Sequence, residues 1–514
     1  MRRLVILGIV VVALVAVIVR RPVRDAVATP PVLTYVTTAH QLGVVGYRDP
    51  AGAISPDGKR FAYSEGRFIR IIPIGGGPPV TLPPAEGQVR NLAWTSDDTV
   101  VALARPPAST RMPDGSAACI VDRRLVVPCG GEKLTLDPDI DVHGPVAFTG
   151  SRAYFASPGP STGVSNSGMV ALWSADLGTK RAHQLTSFSR DAYAPSAASD
   201  GTVVFKVQSY RTQLADIAVE GGPTRQLTTF QSETPSYHPA RPLLSFTYGS
   251  WRRVLDDSKY PDIAQEIGII DVSGVLPAEQ PLEVIAQSDS EDQAMAWSPN
   301  GKWIAFHTHR DMSDDVWLKP VDGKQPDRRI TFLGRGAEVG WPRWSPDGKT
   351  VLLNGARKSD GASVLYAIGV DQESGQPTSE IREIAVEGVS GEMGHAEWLP
   401  GSASIVAMAK EGPGRHVIFT VPVTGGRATI EHRVTTEHDF PGLGVSSNGR
   451  HVAFVAPAPD GYYQIFLKTL GANLPVVQLT TDPSHKTQPT FSPDNARVAF
   501  TVWSYTATFY SFKQ

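Results

Sequence analysis

The chain has 514 residues, a formal net charge of −3, 48 Gly, 42 Pro and 2 Cys. That length suits one large domain or several small ones. The near-neutral balance excludes a bulk electrostatic drive toward nucleic acid or acidic lipid, and the Gly and Pro content fits a turn-rich β protein.

The chain opens with Arg2-Arg3, an unbroken apolar run from Leu4 to Val19, and Arg20-Arg21. This run is near the lower limit for a membrane helix and just longer than a usual signal core. Ala26-Val27-Ala28 resembles a signal-peptidase site, but Arg20, Arg21, Arg24 and Asp25 intervene, and charge there disfavours cleavage. Residues 1–30 are therefore expected to form an uncleaved single-pass anchor, with the rest of the chain extracytoplasmic at the cell membrane. The alternative is a cleaved signal and a secreted or periplasmic protein. Basic residues on both flanks leave the orientation open.

From residue 31 to 514 one pattern dominates. Ile54-Ser55-Pro56-Asp57-Gly58-Lys59 returns as Trp297-Ser298-Pro299-Asn300-Gly301-Lys302, Trp344-Ser345-Pro346-Asp347-Gly348-Lys349 and Phe491-Ser492-Pro493-Asp494-Asn495. Pro sets φ at the first corner, Asp or Asn bonds its own backbone, and Gly accepts positive φ, so each copy joins two strands by a tight turn. Weaker copies lie at Trp94, Phe148, Ser199-Asp200-Gly201, His238-Pro239, Leu399-Pro400-Gly401 and Ser446-Ser447-Asn448-Gly449. Many units close on Gln-Leu-Thr, as at 184–186, 226–228 and 478–480. A period of roughly 40–50 residues holds the four strands of one propeller blade. The expectation is an all-β propeller of four-stranded antiparallel blades, with about ten candidate units and no helix beyond the N-terminal one. No linker breaks the repeat, which favours one continuous ring over two. The final unit falls one strand short, and the segment 32–37 could supply the missing edge. Trp94, Trp297, Trp344, Trp398 and Phe491, at first-strand ends, are expected to pack between neighbouring blades.

Cys119 and Cys129 flank Asp122-Arg123-Arg124 in strand-like sequence. A hairpin there would place both thiols on facing strands. A lone pair behind an export-like segment points to a disulfide and an oxidising compartment.

Strand parity separates two rims of each blade. The Ser-Pro-Asp-Gly turns occupy one. The loops between second and third strands, and between blades, occupy the other. The second rim is expected to carry the working surface: His307, His309, Arg310, Asp311, Asp314 and Asp315 in one loop, Arg357 in the next, and Glu392, His395, His438 and His485 where blades begin. The insertion that opens with Trp251 and Arg252 belongs to the same rim. Histidines and carboxylates from several blades could meet a divalent metal at the tunnel mouth, but none has a fixed-spacing partner, so no cofactor is assigned. Plain solvated loops and ion pairs of small energetic weight are the bland reading.

The Ser-Pro-Asp-Gly phrases resemble the TolB-like propeller repeat of bacterial envelope proteins, which also occurs in the propellers of prolyl-oligopeptidase-like proteases. The resemblance covers about residues 50–514. It implies the fold, whereas function on such a scaffold varies. There is no Gly-x-Ser-x-Gly elbow, His-Glu-x-x-His or Walker loop, and the sequence ends inside the last repeat, so a peptidase of that kind is not expected. The leading expectation is a non-catalytic, anchored propeller that binds an envelope protein or peptide through its loop rim. The alternative is a metal-dependent lyase or hydrolase acting on a polysaccharide or peptide in the tunnel.

Overall fold

The computed structural model describes residues 31–40, 51–65, 68–85, 89, 91–95, 99–103, 110–112, 116–121, 124–157, 170–186, 191–249, 265–286, 292–308, 314–333, 338–357, 359–412, 414–436 and 442–513. Among them there is no helix, and all regular structure is strand. No described helix is long and apolar enough to cross a membrane. The expected anchor, 4–19, lies outside the described residues.

Most sheets are four-stranded antiparallel meanders of the propeller-blade type. A representative one runs Asp292–Trp297, Trp303–Thr308, Asp315–Pro320 and Arg328–Arg329. Its turn shows why the repeat needs its residues. The buried Ser298 hydroxyl donates to Asn300 Oδ1 at 2.7 Å and accepts from the Trp303 amide at 3.0 Å. Gly301 sits at φ 68°, where a side chain would be strained. The same serine bonds recur at Ser55, Ser345, Ser446 and Ser492. Gln-Leu-Thr has an equally local role. The Thr186, Thr228, Thr331 and Thr480 hydroxyls each accept an amide of the third strand at 2.8–2.9 Å. That bond pins the fourth strand's exit.

The tryptophans pack between sheets as expected. Trp94, Trp297 and Trp398 donate their indole N–H to Ala53, Ser236 and Arg343 carbonyls of the preceding sheet's first strand. This bond satisfies the indole in an otherwise apolar seam.

The sheets fall into two groups joined by two long strands, Thr202–Ala218 and Arg497–Lys513. These pair antiparallel without a break, from Thr202 opposite Lys513 to Ala218 opposite Arg497. At one end they continue between Asp191–Ala197 and Thr34–His40. At the other they continue between His485–Phe491 and Arg225–Gln226. Each long strand is thus the second strand of one group's sheet and the third strand of the other's. One continuous array does not follow from the missing linker, because the crossover is made by strand, which reads like any other alternating segment.

In the second group the first strands are Ser232–Tyr237, Asp292–Trp297, Glu338–Trp344, Glu392–Trp398, Leu443–Val445 and His485–Phe491. Each packs against the next, and the last packs against the first. In the first group, His143–Thr149, Asp191–Ala197, Gly52–Ile54 and Asn91–Trp94 pack in that order, and Thr110–Arg111 packs on His143–Thr149. Cys119 and Cys129 form a disulfide with Cα atoms 5.2 Å apart. Cys119 is on the strand Ala117–Val121. Cys129 is in the turn after Arg124–Val126 rather than on the facing strand, where Val126 stands opposite Cys119. Its amide still bonds the Ala117 carbonyl at 2.6 Å.

Candidate binding site

The turn rim is spent on structure. Neighbouring turns are linked side to side. Ser199 donates to the Pro56 carbonyl, the Asp347 amide to Ser402, and the Ser447 amide to Asn495. Asn300 bonds the Gln372 carbonyl and the Glu373 carboxylate of the next sheet. In one turn histidine replaces serine. His238 Nδ1 accepts the Ala240 and Arg241 amides at 3.0 Å each. Burial and the Arg241 charge push its pKa down to about 4, since a proton would remove that lone pair.

The opposite rim carries some of the residues singled out in the sequence, among those the structure describes. Register sets Asp292 opposite Thr308, and Thr308 opposite Asp315. In the following sheets Glu338, Ala356 and Ser363 align, as do Glu392, Lys410 and His416. His307, Asp314, Arg357 and Glu392 therefore share the rim away from the Ser turns. They are not gathered at one point. His307 Nε2 is 3.6 Å from Asp314 Oδ1, and its ring lies against Gly340 of the next sheet, where a Cβ would come within 3.2 Å. Arg357 is held by Glu383 and Asp360 at 2.6–2.9 Å. Glu392 is 60% exposed, with Lys410 3.8 Å away. Asp315 is buried. It accepts from the Thr331 hydroxyl and from Arg329, both at 2.6 Å, and so positions the fourth strand rather than facing solvent. His309, Arg310, Asp311, Trp251, Arg252 and His438 lie outside the described residues.

Among the described residues of the expected set, His395 reaches the centre of the second group. A cavity there is lined by residues of all six first strands, among them Thr234, Ala294, Trp341, Arg343, His395, Leu443 and Gln488. It measures about 10 Å³, room for about one water. The His395 ring meets the Trp341 ring edge-on at 4.2 Å. Thr234, Ala294, Trp341 and Gln488 have φ of 51–55° within bulges of their strands. Such backbone costs on the order of 1–3 kcal/mol per non-Gly residue and turns the local groups inward. The sequence analysis missed this constriction. Its signal is Pro235, Pro342 and Pro489, prolines inside strand sequence, which mark bulges. The Thr234 amide is met by Gln488 Oε1 at 3.2 Å and Thr501 Oγ1 at 3.0 Å, tying adjacent sheets together. Among the described residues no three His, Cys, Asp or Glu side chains are grouped as a metal ion would require.

The long strands fix how the two loop rims meet. In ordinary sheets here the chain reverses between second and third strands at the loop rim. In Thr202–Ala218 and Arg497–Lys513 it runs straight through. The turn rims of the two groups therefore lie at opposite ends of a 17-residue strand pair, roughly 55 Å apart, and both loop rims lie toward its middle, with the two groups' first strands on opposite sides of the pair. At this junction Tyr462 of the second group lies within electrostatic reach of Glu65 of the first. Burial, then the Asp460 and Glu65 carboxylates, push its phenol up. Beside it His485 is buried, its ring 5.1 Å from Tyr462, and the Lys486 ammonium is fully buried on Asp482 and Ser484. Burial lowers the Lys486 pKa and Asp482 counters it.

No family profile and no curated protein matches the chain. Among solved structures, a protein assigned as TolB from Agrobacterium tumefaciens is similar at 18% identity over 57% of this chain and 99% of that one, with a TM-score of 0.42. TolB from Acinetobacter baumannii aligns at 14% identity over 74% of this chain and 63% of its own length, with a TM-score of 0.27. Oligogalacturonate lyase from Vibrio parahaemolyticus aligns at 16% identity over 64% of this chain and 91% of that one, with a TM-score of 0.35. The likeness is one of fold alone.

Proposed function

We propose that residues 31–514 form a non-catalytic binding scaffold of the cell envelope. In this reading each group of sheets is one propeller ring, and Thr34–His40 supplies the outer strand that completes the first. The two loop rims take a protein or peptide partner between them, and 4–19 tethers the whole to the membrane with the rings extracytoplasmic. The observation that carries the reading is the unbroken pairing of Thr202–Ala218 with Arg497–Lys513, which brings both loop rims toward the middle of the shared strands. Rigid sheets with variable loops suit recognition. The disulfide fits an oxidising compartment.

The enzymatic alternative places a polysaccharide or peptide in the tunnel. At the level of the bulges the centre of the second group narrows to a cavity of about 10 Å³, which does not favour a chain threaded there. A stoichiometric transition metal in the purified protein would favour the enzyme.

The test is capture of a partner from solubilised native envelope. Arg357→Ala with Glu392→Ala, on the loop rim, should weaken capture. Lys59→Ala and Lys349→Ala, on the turn rim, should leave it unchanged, since isolated surface changes cost under about 0.5 kcal/mol. Capture that follows the lysines and ignores the loop rim would overturn the assignment.

A further inference from the structure

We infer that the turn rim of the first group rests on the lipid surface, through Val32, Leu33 and Tyr35. The inference relies on the anchor reading of residues 4–19 and goes beyond it, because an anchor alone says nothing about which surface faces the bilayer.

Thr34 stands opposite Ser511, and Lys513 stands opposite Thr202, immediately after the Asp200-Gly201 turn. The strand Thr34–His40 therefore starts at the turn rim and runs toward the loop rim. Whatever precedes Thr34 leaves from the turn rim. The residues at this exit are apolar yet open to solvent. Val32 is 88% exposed, Leu33 41% and Tyr35 58%, whereas Val36 and Ala39 further along are buried in the core. Three exposed apolar side chains clustered where the chain enters the fold call for a partner.

The bilayer is the partner that the chain itself supplies. Residues 20–33 separate the apolar run from Thr34, and fully extended they span at most about 50 Å. Arg20, Arg21 and Arg24, against Asp25 as the one acidic residue of that stretch, suit anionic headgroups. Tyr35 has the amphipathic ring favoured at the membrane interface, and it stands edge-on to Tyr510 at 6.4 Å. With this rim down, the long-strand pair rises from the membrane. The loop rims are then held one ring away from the lipid, and the second group is outermost.

The experiment labels Leu33→Cys with an environment-sensitive fluorophore in the full chain. The native cysteines are paired, so the added thiol is the one that reacts. The labelled protein is reconstituted into phosphatidylethanolamine–phosphatidylglycerol vesicles containing brominated lipid. Val477→Cys, an exposed apolar position on the second group, is the reference. Co-flotation with vesicles reports the anchor. A blue shift and bromine quenching at position 33, absent at 477, report the docked rim. Co-flotation with position 33 as aqueous and unquenched as 477 overturns the docking while keeping the anchor. Failure to float overturns both. If the label at 33 disturbs folding, Val32→Cys gives the same reading.

Discussion

In the second group, the sheets follow one another with the serine turns at 298, 345, 446 and 492, and apolar contact between sheets is continuous. Among the described residues of the first group only the turn at 55 has the full serine pattern, and the hairpin Asn91–Trp94 with Val100–Leu103 caps itself with Thr95, whose hydroxyl accepts the Thr99 amide at 3.1 Å. The strands from Thr110 to Val126 are short, and there a disulfide and an Arg124–Asp139 pair at 2.6 Å supplement the packing of Ala118 and Leu125. The difference teaches that this repeat tolerates loss of its turn chemistry when a covalent or ionic bond replaces it. The shared long strands then make the weaker group depend on the stronger one.

The predictions probe that dependence. Phe205→Ala removes a fully buried ring 6.1 Å from those of Tyr510 and Phe512, and should cost about 3–5 kcal/mol. Because Phe205 is on a shared strand, thermal unfolding should show both groups destabilised together; a shift confined to the first group would separate them. Cys129→Ser should cost about 2–4 kcal/mol. Hydrogen exchange should locate that loss in residues 117–184 and leave 392–500 protected. The third prediction concerns pH. His238 has a pKa of about 4 when folded and 6.5 as its ordinary value, so between these the unfolded chain binds the extra proton. Its contribution is complete above about 6.5 and declines as pH falls toward 4. His238→Ser, which restores the serine of the other turns, should flatten stability across that window in denaturant titrations at several pH values. An unchanged slope would assign the effect to other groups. The smallest effect is expected from Trp398→Phe. It keeps the packing and loses the bond to the Arg343 carbonyl, at about 1 kcal/mol by chemical denaturation.

Much of the fold was legible because its turns demand particular atoms. Ser298, Asn300 and Gly301 each do something few residues can do, so the phrase survives in the sequence. The two rims were legible for the same reason, since strand parity follows once the turns are found. Asp315 stands at the loop rim in register, but its burial was not legible, because its partners Thr331 and Arg329 lie sixteen and fourteen residues away in and beside the fourth strand. The strand exchange left no mark, because a strand that passes from one sheet to another alternates like one that stays. The central constriction was half visible: Pro235, Pro342 and Pro489 interrupt strand sequence, but the meeting of six strands is a tertiary fact.

The central claim is that Thr202–Ala218 and Arg497–Lys513 form one continuous ribbon that carries both groups and brings their loop rims toward its middle. Amide hydrogen exchange across these two segments tests it most directly. The account predicts that the middle of each strand, residues 207–211 and 504–508, exchanges slowly and in step with its ends. Rapid exchange at those central amides, with protection only at the ends, would contradict it and leave two sheets joined by ordinary loops.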